Sequence, residues 1–142
     1  MTATADRIRA SFARQSMMAS LCAELVEIGD GRVTLAAPLL PGFRQQQGAG
    51  HAGVTFALGD TAAGYAALSR MSPEQEVLTV EMKINLLSPA TGRRLIATGE
   101  VLRAGRRLVI VRARVIAERD GAQVPVAELL GTMIPVPVSA ER

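Results

Sequence analysis

Cysteine occurs once in the 142 residues, at Cys22, so there is no disulfide partner and no thiol cluster to hold a metal. Histidine also occurs once, at His51, which leaves a zinc site without its usual ligands. Tryptophan is absent and aromatics make up 3% of the chain, so the core is built from Val, Leu, Ile, Ala and Met. Lysine is nearly missing too: every basic residue but Lys83 is arginine, with a formal net charge of +3. The arginines are scattered and not interleaved with aromatics, which argues against a nucleic-acid surface. They suit a solvated face, or bidentate contacts to a phosphate-bearing ligand. The opening stretch MTATADRIRASFARQ has no apolar signal-peptide core. The one long apolar segment is interrupted by Asp60, so no membrane partner is expected either. The expected location is cytoplasmic. There are no repeats or linkers, and the length fits a single domain over residues 1–142.

What the chain does have is GHAGVTFALGDTAAGYAALSR, from Gly50 to Arg70. Between Ala52 and Leu68 the only charge is Asp60, amid Val54, Phe56, Leu58, Tyr65, Leu68 and many alanines. A helix apolar on nearly every side is a buried one, so a central helix over 52–69 is expected, wrapped by the rest of the protein. Gly53, Gly59 and Gly64 weaken such a helix and suggest close approach of neighbouring backbone. A carboxylate on a buried helix is costly unless paired, hydrogen-bonded or used. Asp60 is therefore either a structural Asp or a catalytic base or nucleophile with a raised pKa. His51, at the helix start, is either a cap or a catalytic partner. Nine residues separate the two, about 13 Å along the axis and half a turn out of phase. They cannot meet within one chain, so a shared site requires a second copy, and a homodimer is expected.

In chain order, residues 4–19 read as one amphipathic helix with Ile8 and Phe12 on one face, placing an N-terminal helix within 1–20. Leu21–Ile28 and Arg32–Ala37 read as a hairpin about Gly29-Asp30-Gly31. Residues 38–50, PLLPGFRQQQGAG, read as a loop. The start of the following helix offers unpaired N–H groups and a positive dipole end, suited to a developing oxyanion. A glutamine just before it can donate from its amide. Four strands follow the helix. In 77–87, Leu78, Val80, Met82, Ile84 and Leu86 fall on one face and Thr79, Glu81, Lys83 and Asn85 on the other. Strands over 94–103, 108–119 and 124–136 come next, with a turn at 104–107, a hairpin at Asp120-Gly121, and Pro125 and Pro135 marking an edge or irregular portion. The class is α+β: one antiparallel sheet around one long helix.

Over essentially its whole length the chain resembles the hotdog-fold acyl-CoA thioesterases, in particular the phenylacetate-degradation type, akin to the 4-hydroxybenzoyl-CoA thioesterases. The matching residues are Gln45, Gly48, His51-Ala52-Gly53 and Leu58-Gly59-Asp60, with the later VEMKINLLSPA from Val80 to Ala90. The resemblance implies that Asp60 is the general base or nucleophile toward the thioester carbonyl. The Ala52 N–H would polarise that carbonyl and Gln45 would help position it. Thr79 would orient the water, and His51 would hold the loop. Coenzyme A would approach Gly53, the turn Ser88, Pro89 and Ala90, and the basic turn Arg103, Gly105, Arg106 and Arg107. It implies no metal and no cofactor beyond the coenzyme A of the substrate, a homodimer with shared active sites, and a dimer of dimers. Two residues depart from the pattern: Ala52 replaces a glycine and Gln45 an asparagine. The hotdog hydratases place an Asp ahead of a His, the reverse of the order here. The competing class is a non-catalytic acyl-CoA-binding module of the same fold.

Overall fold

The computed structural model describes residues 2–139. Helices α1 (Thr2–Ala13) and α2 (Ser16–Ser20) precede strands β1 (Glu24–Gly29) and β2 (Arg32–Pro38). A single 3-10 turn, Pro41–Phe43, lies in the loop before helix α3 (Ala52–Leu68). Strands β3 (Gln75–Leu86), β4 (Arg94–Ala104), β5 (Val109–Arg119) and β6 (Ala122–Pro137) follow. The six strands form one antiparallel sheet in the order β1-β2-β4-β5-β6-β3, with α3 packed across it. The expected architecture holds.

Alanine and glycine allow α3 to sit close to the sheet. Leu58, Ala62, Ala63, Ala66, Ala67 and Leu68 are buried against Leu35, Leu95, Ala97, Val111, Ala113 and Val115. Gly99 of β4 is where a close approach demands glycine, since a Cβ there would lie 2.3 Å from the backbone of Ala62 and Ala63. The Asp120-Gly121 hairpin has positive φ at both residues, 51° and 77°, the turn that matches strand twist.

Four local expectations are corrected. The helix expected over 4–19 is broken: Gln15 is extended (φ −82°, ψ 99°), which turns α2 so that Met18 and Leu21 enter the core. Leu21 therefore ends α2 instead of starting β1, and Cys22, at φ 53°, redirects the chain. In β3 a bulge between Thr79 and Glu81 inserts one residue and inverts the side-chain phase. Val77 and Met82 both pack on the core, while Leu78 and Val80 are exposed. Finally, α3 is not wrapped on all sides. Ala52, Gly53, Phe56, Asp60, Thr61 and Gly64 run along a face left partly open. As for the prolines, β6 lies inside the sheet, but Pro125 pairs only with β5 and Pro135 only with β3. Each sits where the strand has one neighbour.

Candidate active site

Asp60 faces the open side of α3, half-buried. Thr79 donates a hydrogen bond from Oγ1 to Asp60 Oδ1 at 2.7 Å. The β3 bulge allows this contact: in an unbroken strand Thr79 and Met82 would point to opposite faces, and the added residue brings Thr79 onto the core face with Met82, toward α3. Thr79 Oγ1 also lies 3.1 Å from Met133 Sδ. Its single proton goes to the carboxylate, the stronger acceptor. Burial pushes the Asp60 carboxyl above the usual carboxylate range, and the Thr79 hydrogen bond partly offsets this. A carboxylate raised in this way is a better base than a solvated one.

Asp60 and Thr79 open into a cleft of about 200 Å³ whose other walls include Ser11, Gln15 and Tyr65. Gln15 Nε2 donates to the Tyr65 hydroxyl at 2.7 Å, and Ser11 Oγ lies 3.0 Å from the same oxygen. Arg7 fixes α1 over this region by donating to the carbonyls of Ser72, at 3.0 Å, and Gln75. Sequence reasoning missed these walls. Gln15 and Tyr65 are fifty positions apart, and no spacing signal links them.

The start of α3 opens into a second, larger cleft of about 710 Å³. His51 caps the helix: its Nδ1 accepts from Gly53 N–H at 2.8 Å, while its own N–H donates to Phe43 O at 2.9 Å. The ring tautomer is set by this contact, with the remaining proton on Nε2. Ala52 N–H, at the first helical position, has no acceptor among the described residues. Gly53 is needed beside the ring, since a Cβ there would lie 2.9 Å from His51 Nδ1. Gln45 lines this cleft, but its Oε1 accepts from Gln47 N–H and closes its own loop. Its amide nitrogen stays unpaired among the described hydrogen bonds.

Ser88, Pro89 and Ala90 line the same cleft. Gly50 N–H donates to Ala90 O at 2.8 Å, which fastens this turn to the loop before α3. Ser88 Oγ donates to Pro125 O at 2.6 Å. Arg119, which sequence reasoning did not single out, donates to Pro89 O at 2.9 Å and Thr91 O at 3.3 Å. It holds the outer side of the turn. Arg103, near the end of β4, and Gly105, Arg106 and Arg107 of the β4–β5 turn are exposed; the turn is closed by Gly105 N–H to Leu108 O at 2.8 Å, and none of the four lines either cleft.

Most of the candidate residues thus fall into two groups in one chain, while Gly53, Arg103, Gly105, Arg106 and Arg107 line neither cleft. Asp60 and Thr79 line one cleft; Gln45, His51, Ala52 and Ser88 to Ala90 line the other. A third hollow, of about 370 Å³, lies on the outer sheet face, where Arg32 and Arg112 pair with Glu100 and Arg114 with Glu128. Its charges answer one another and none of the candidate residues lines it. No helix among the described residues is long and apolar enough to cross a membrane.

The family model of the thioesterase superfamily matches residues 47–123, from the loop before α3 through β5. The structure of a thioesterase family protein from Silicibacter pomeroyi is 41% identical, with a TM-score of 0.93, covering 95% of this chain and 99% of that one. The PaaI protein of the phenylacetic acid degradation operon of E. coli shares the fold at 18% identity and a TM-score of 0.86, over 96% and 95% of the two chains. A thioesterase from Haemophilus influenzae, HI1161, does so at 17% and 0.80, over 93% and 91%. No curated protein matches significantly. A family model covering more than half the chain, a 41% identical thioesterase family structure matched nearly end to end, and one sheet wrapped about one helix lead to the same conclusion: the chain belongs to the thioesterase superfamily and has the hotdog fold.

Proposed function

We propose that this chain hydrolyses an acyl- or aryl-acyl-coenzyme A thioester to the free acid and coenzyme A, using sites shared between two copies. The observation that carries the reading is the raised Asp60 carboxyl, held by Thr79 on the open face of α3. A second copy supplies the other half: a helix start with a free Ala52 N–H. The chain leaves a suitable surface for that copy. β3 is a sheet edge of 12 residues with Leu78 and Val80 exposed, and long apolar edges call for a partner. A dimer of dimers is compatible with the same pairing.

In this mechanism the thioester carbonyl oxygen accepts from Ala52 N–H at the positive end of the α3 dipole. Asp60 takes a proton from a water, whose oxygen bonds to the carbonyl carbon. The Thr79 hydroxyl, donating to Asp60, uses its lone pairs to hold that water. The tetrahedral intermediate then expels the coenzyme A thiolate, which recovers the proton from Asp60. Direct attack by Asp60 through an anhydride gives the same products. His51 acts through Gly53, as a positioning residue that fixes the helix start. Coenzyme A lies along the turn Ser88, Pro89 and Ala90, passing Gly53, with its phosphates toward Arg103, Arg106 and Arg107 about Gly105. No metal or further cofactor takes part, no nucleic acid or membrane is a partner, and the setting is the cytoplasm.

The test is free-thiol release from aryl and aliphatic acyl-CoA esters, with wild type and Asp60→Asn compared. Turnover lost in the variant supports the reading. The alternative, a module that binds coenzyme A esters without turnover, is favoured by the separation of Asp60 and Ala52 into different clefts of one chain. Binding by the wild type with no thiol released selects it.

A further inference from the structure

We propose that Gly64 sets the size of the acyl group this chain accepts, and that the space left by its missing side chain is the end of an acyl pocket. The inference rests on the thioesterase reading. Of the three glycines in α3, two are explained by contacts: a Cβ at Gly53 would meet His51 Nδ1 at 2.9 Å, and one at Gly59 would meet Leu129 Cδ2 at 2.8 Å. Gly64 has no such reason. Its nearest neighbour to an added Cβ is Val77 Cγ1 at 4.0 Å, an ordinary contact, and its φ is not in the left-handed region. Glycine is nevertheless among the poorest residues for a helix interior. Folding alone would favour alanine there.

The position explains the exception. Gly64 is four residues after Asp60, one turn along the same face, and lines the same cleft. Helical side chains lean toward the N-terminus, so any side chain at 64 would lean over the turn toward the Asp60 carboxylate. Space there is scarce. The cleft of about 200 Å³ falls below the roughly 300–1,000 Å³ of sites that hold a whole ligand. It accommodates part of one: the acyl group of an ester whose coenzyme A lies elsewhere. Its far wall is polar and fixed, made by the Tyr65 hydroxyl with Gln15 and Ser11 bonded to it. A long alkyl chain would run into that wall. The pocket therefore selects compact acyl groups, and Gly64 sets how compact.

The experiment compares wild type, Gly64→Ala and Gly64→Val on acetyl-CoA and phenylacetyl-CoA by free-thiol release. The same three proteins are titrated with the thioethers S-ethyl-CoA and S-(2-phenylethyl)-CoA, which cannot be hydrolysed. The phenylacetyl-to-acetyl ratio of kcat/KM should fall about tenfold or more in Gly64→Ala, the discrimination one misplaced methyl gives in a tight pocket. It should fall further in Gly64→Val, and the affinity ratio for the thioethers should follow. Melting of Gly64→Ala at or above wild type shows that the helix is intact. Unchanged ratios in both folded variants overturn the proposal. A wild type that releases no thiol refutes the hydrolase reading alone, since the thioether affinities still test Gly64. A wild type that releases no thiol and binds neither thioether overturns both.

Discussion

Asp60→Asn should lower turnover and raise stability together. The amide is nearly the shape of the carboxylate and keeps an oxygen to accept from Thr79, so the 2.7 Å contact survives. What is lost is the base, and a positioned general base contributes about 10²–10⁴ in rate, which corresponds to roughly 3–5 kcal/mol of barrier. KM should change little, since Asp60 lies in a different cleft from the turn proposed to hold coenzyme A. The stability effect has the opposite sign. The native Asp60 carboxyl is raised above its ordinary 3.8 by burial, so at neutral pH the fold carries a partly desolvated charge that the unfolded chain keeps in water. As pH falls through the raised native value, the native state takes up the proton first and becomes more stable relative to the unfolded chain. That gain ends once the unfolded Asp is protonated as well. Asn removes the charge at every pH. The variant should therefore melt above wild type at pH 8, and the gap should close on acidification toward the ordinary Asp range. Glu118, held down to about 2 by Arg94 and then Arg93, titrates in both proteins and cancels from the difference. Calorimetry at several pH values and equal protein concentration reads the gap. A variant that melts at or below wild type at pH 8, or a gap that does not change with pH, refutes the reasoning about Asp60.

Three further outcomes follow from contacts elsewhere. Gly99→Ala puts a Cβ 2.3 Å from the α3 backbone and should destabilise by at least the 1–3 kcal/mol typical of overpacking, read by denaturant unfolding. His51→Ala removes the cap on Gly53 N–H and should lose about 1 kcal/mol, with kcat falling more than stability accounts for because the helix start loses its fixed position. Arg119→Met unfastens Pro89 O and Thr91 O and should raise KM for coenzyme A esters while kcat stays within a few-fold, a split that steady-state kinetics resolves.

The fold was legible in the sequence because its largest features are patterned. An apolar helix with one charge, a hairpin marked by Asp30-Gly31 and four strands between turn residues allow few arrangements. The misreadings share a cause: each turns on one residue that escapes periodicity. A single added residue at the Thr79–Glu81 bulge reverses the phase of β3, and the pattern of Leu78, Val80, Met82 and Ile84 hides it by being apolar throughout. Gln15, extended and with its amide bonded to Tyr65, breaks a helix whose apolar spacing runs on regardless. The open face of α3 was hidden because alanine and glycine look alike on a lipid-like core and on a surface awaiting a partner. For the site, the impossibility of joining His51 to Asp60 in one chain followed from helix geometry, and the two clefts agree with it. The Asp60–Thr79 pairing was reached only through the family resemblance. The polar wall around Tyr65 was not reached at all.

The shared site is the central claim, and subunit complementation tests it most directly. Asp60→Asn removes the base. Ala52→Pro removes only the N–H, because proline is well tolerated at the first helical position and His51 already has the extended ψ of 140° that a residue before proline prefers. Each variant alone should be nearly inactive. When the two are unfolded together and refolded, mixed dimers should hold one intact site in two, restoring about a quarter of wild-type activity for random pairing of a twofold dimer. No recovery, with mixed dimers present by native mass spectrometry, would contradict a site built from the Asp60 of one copy and the Ala52 of the other.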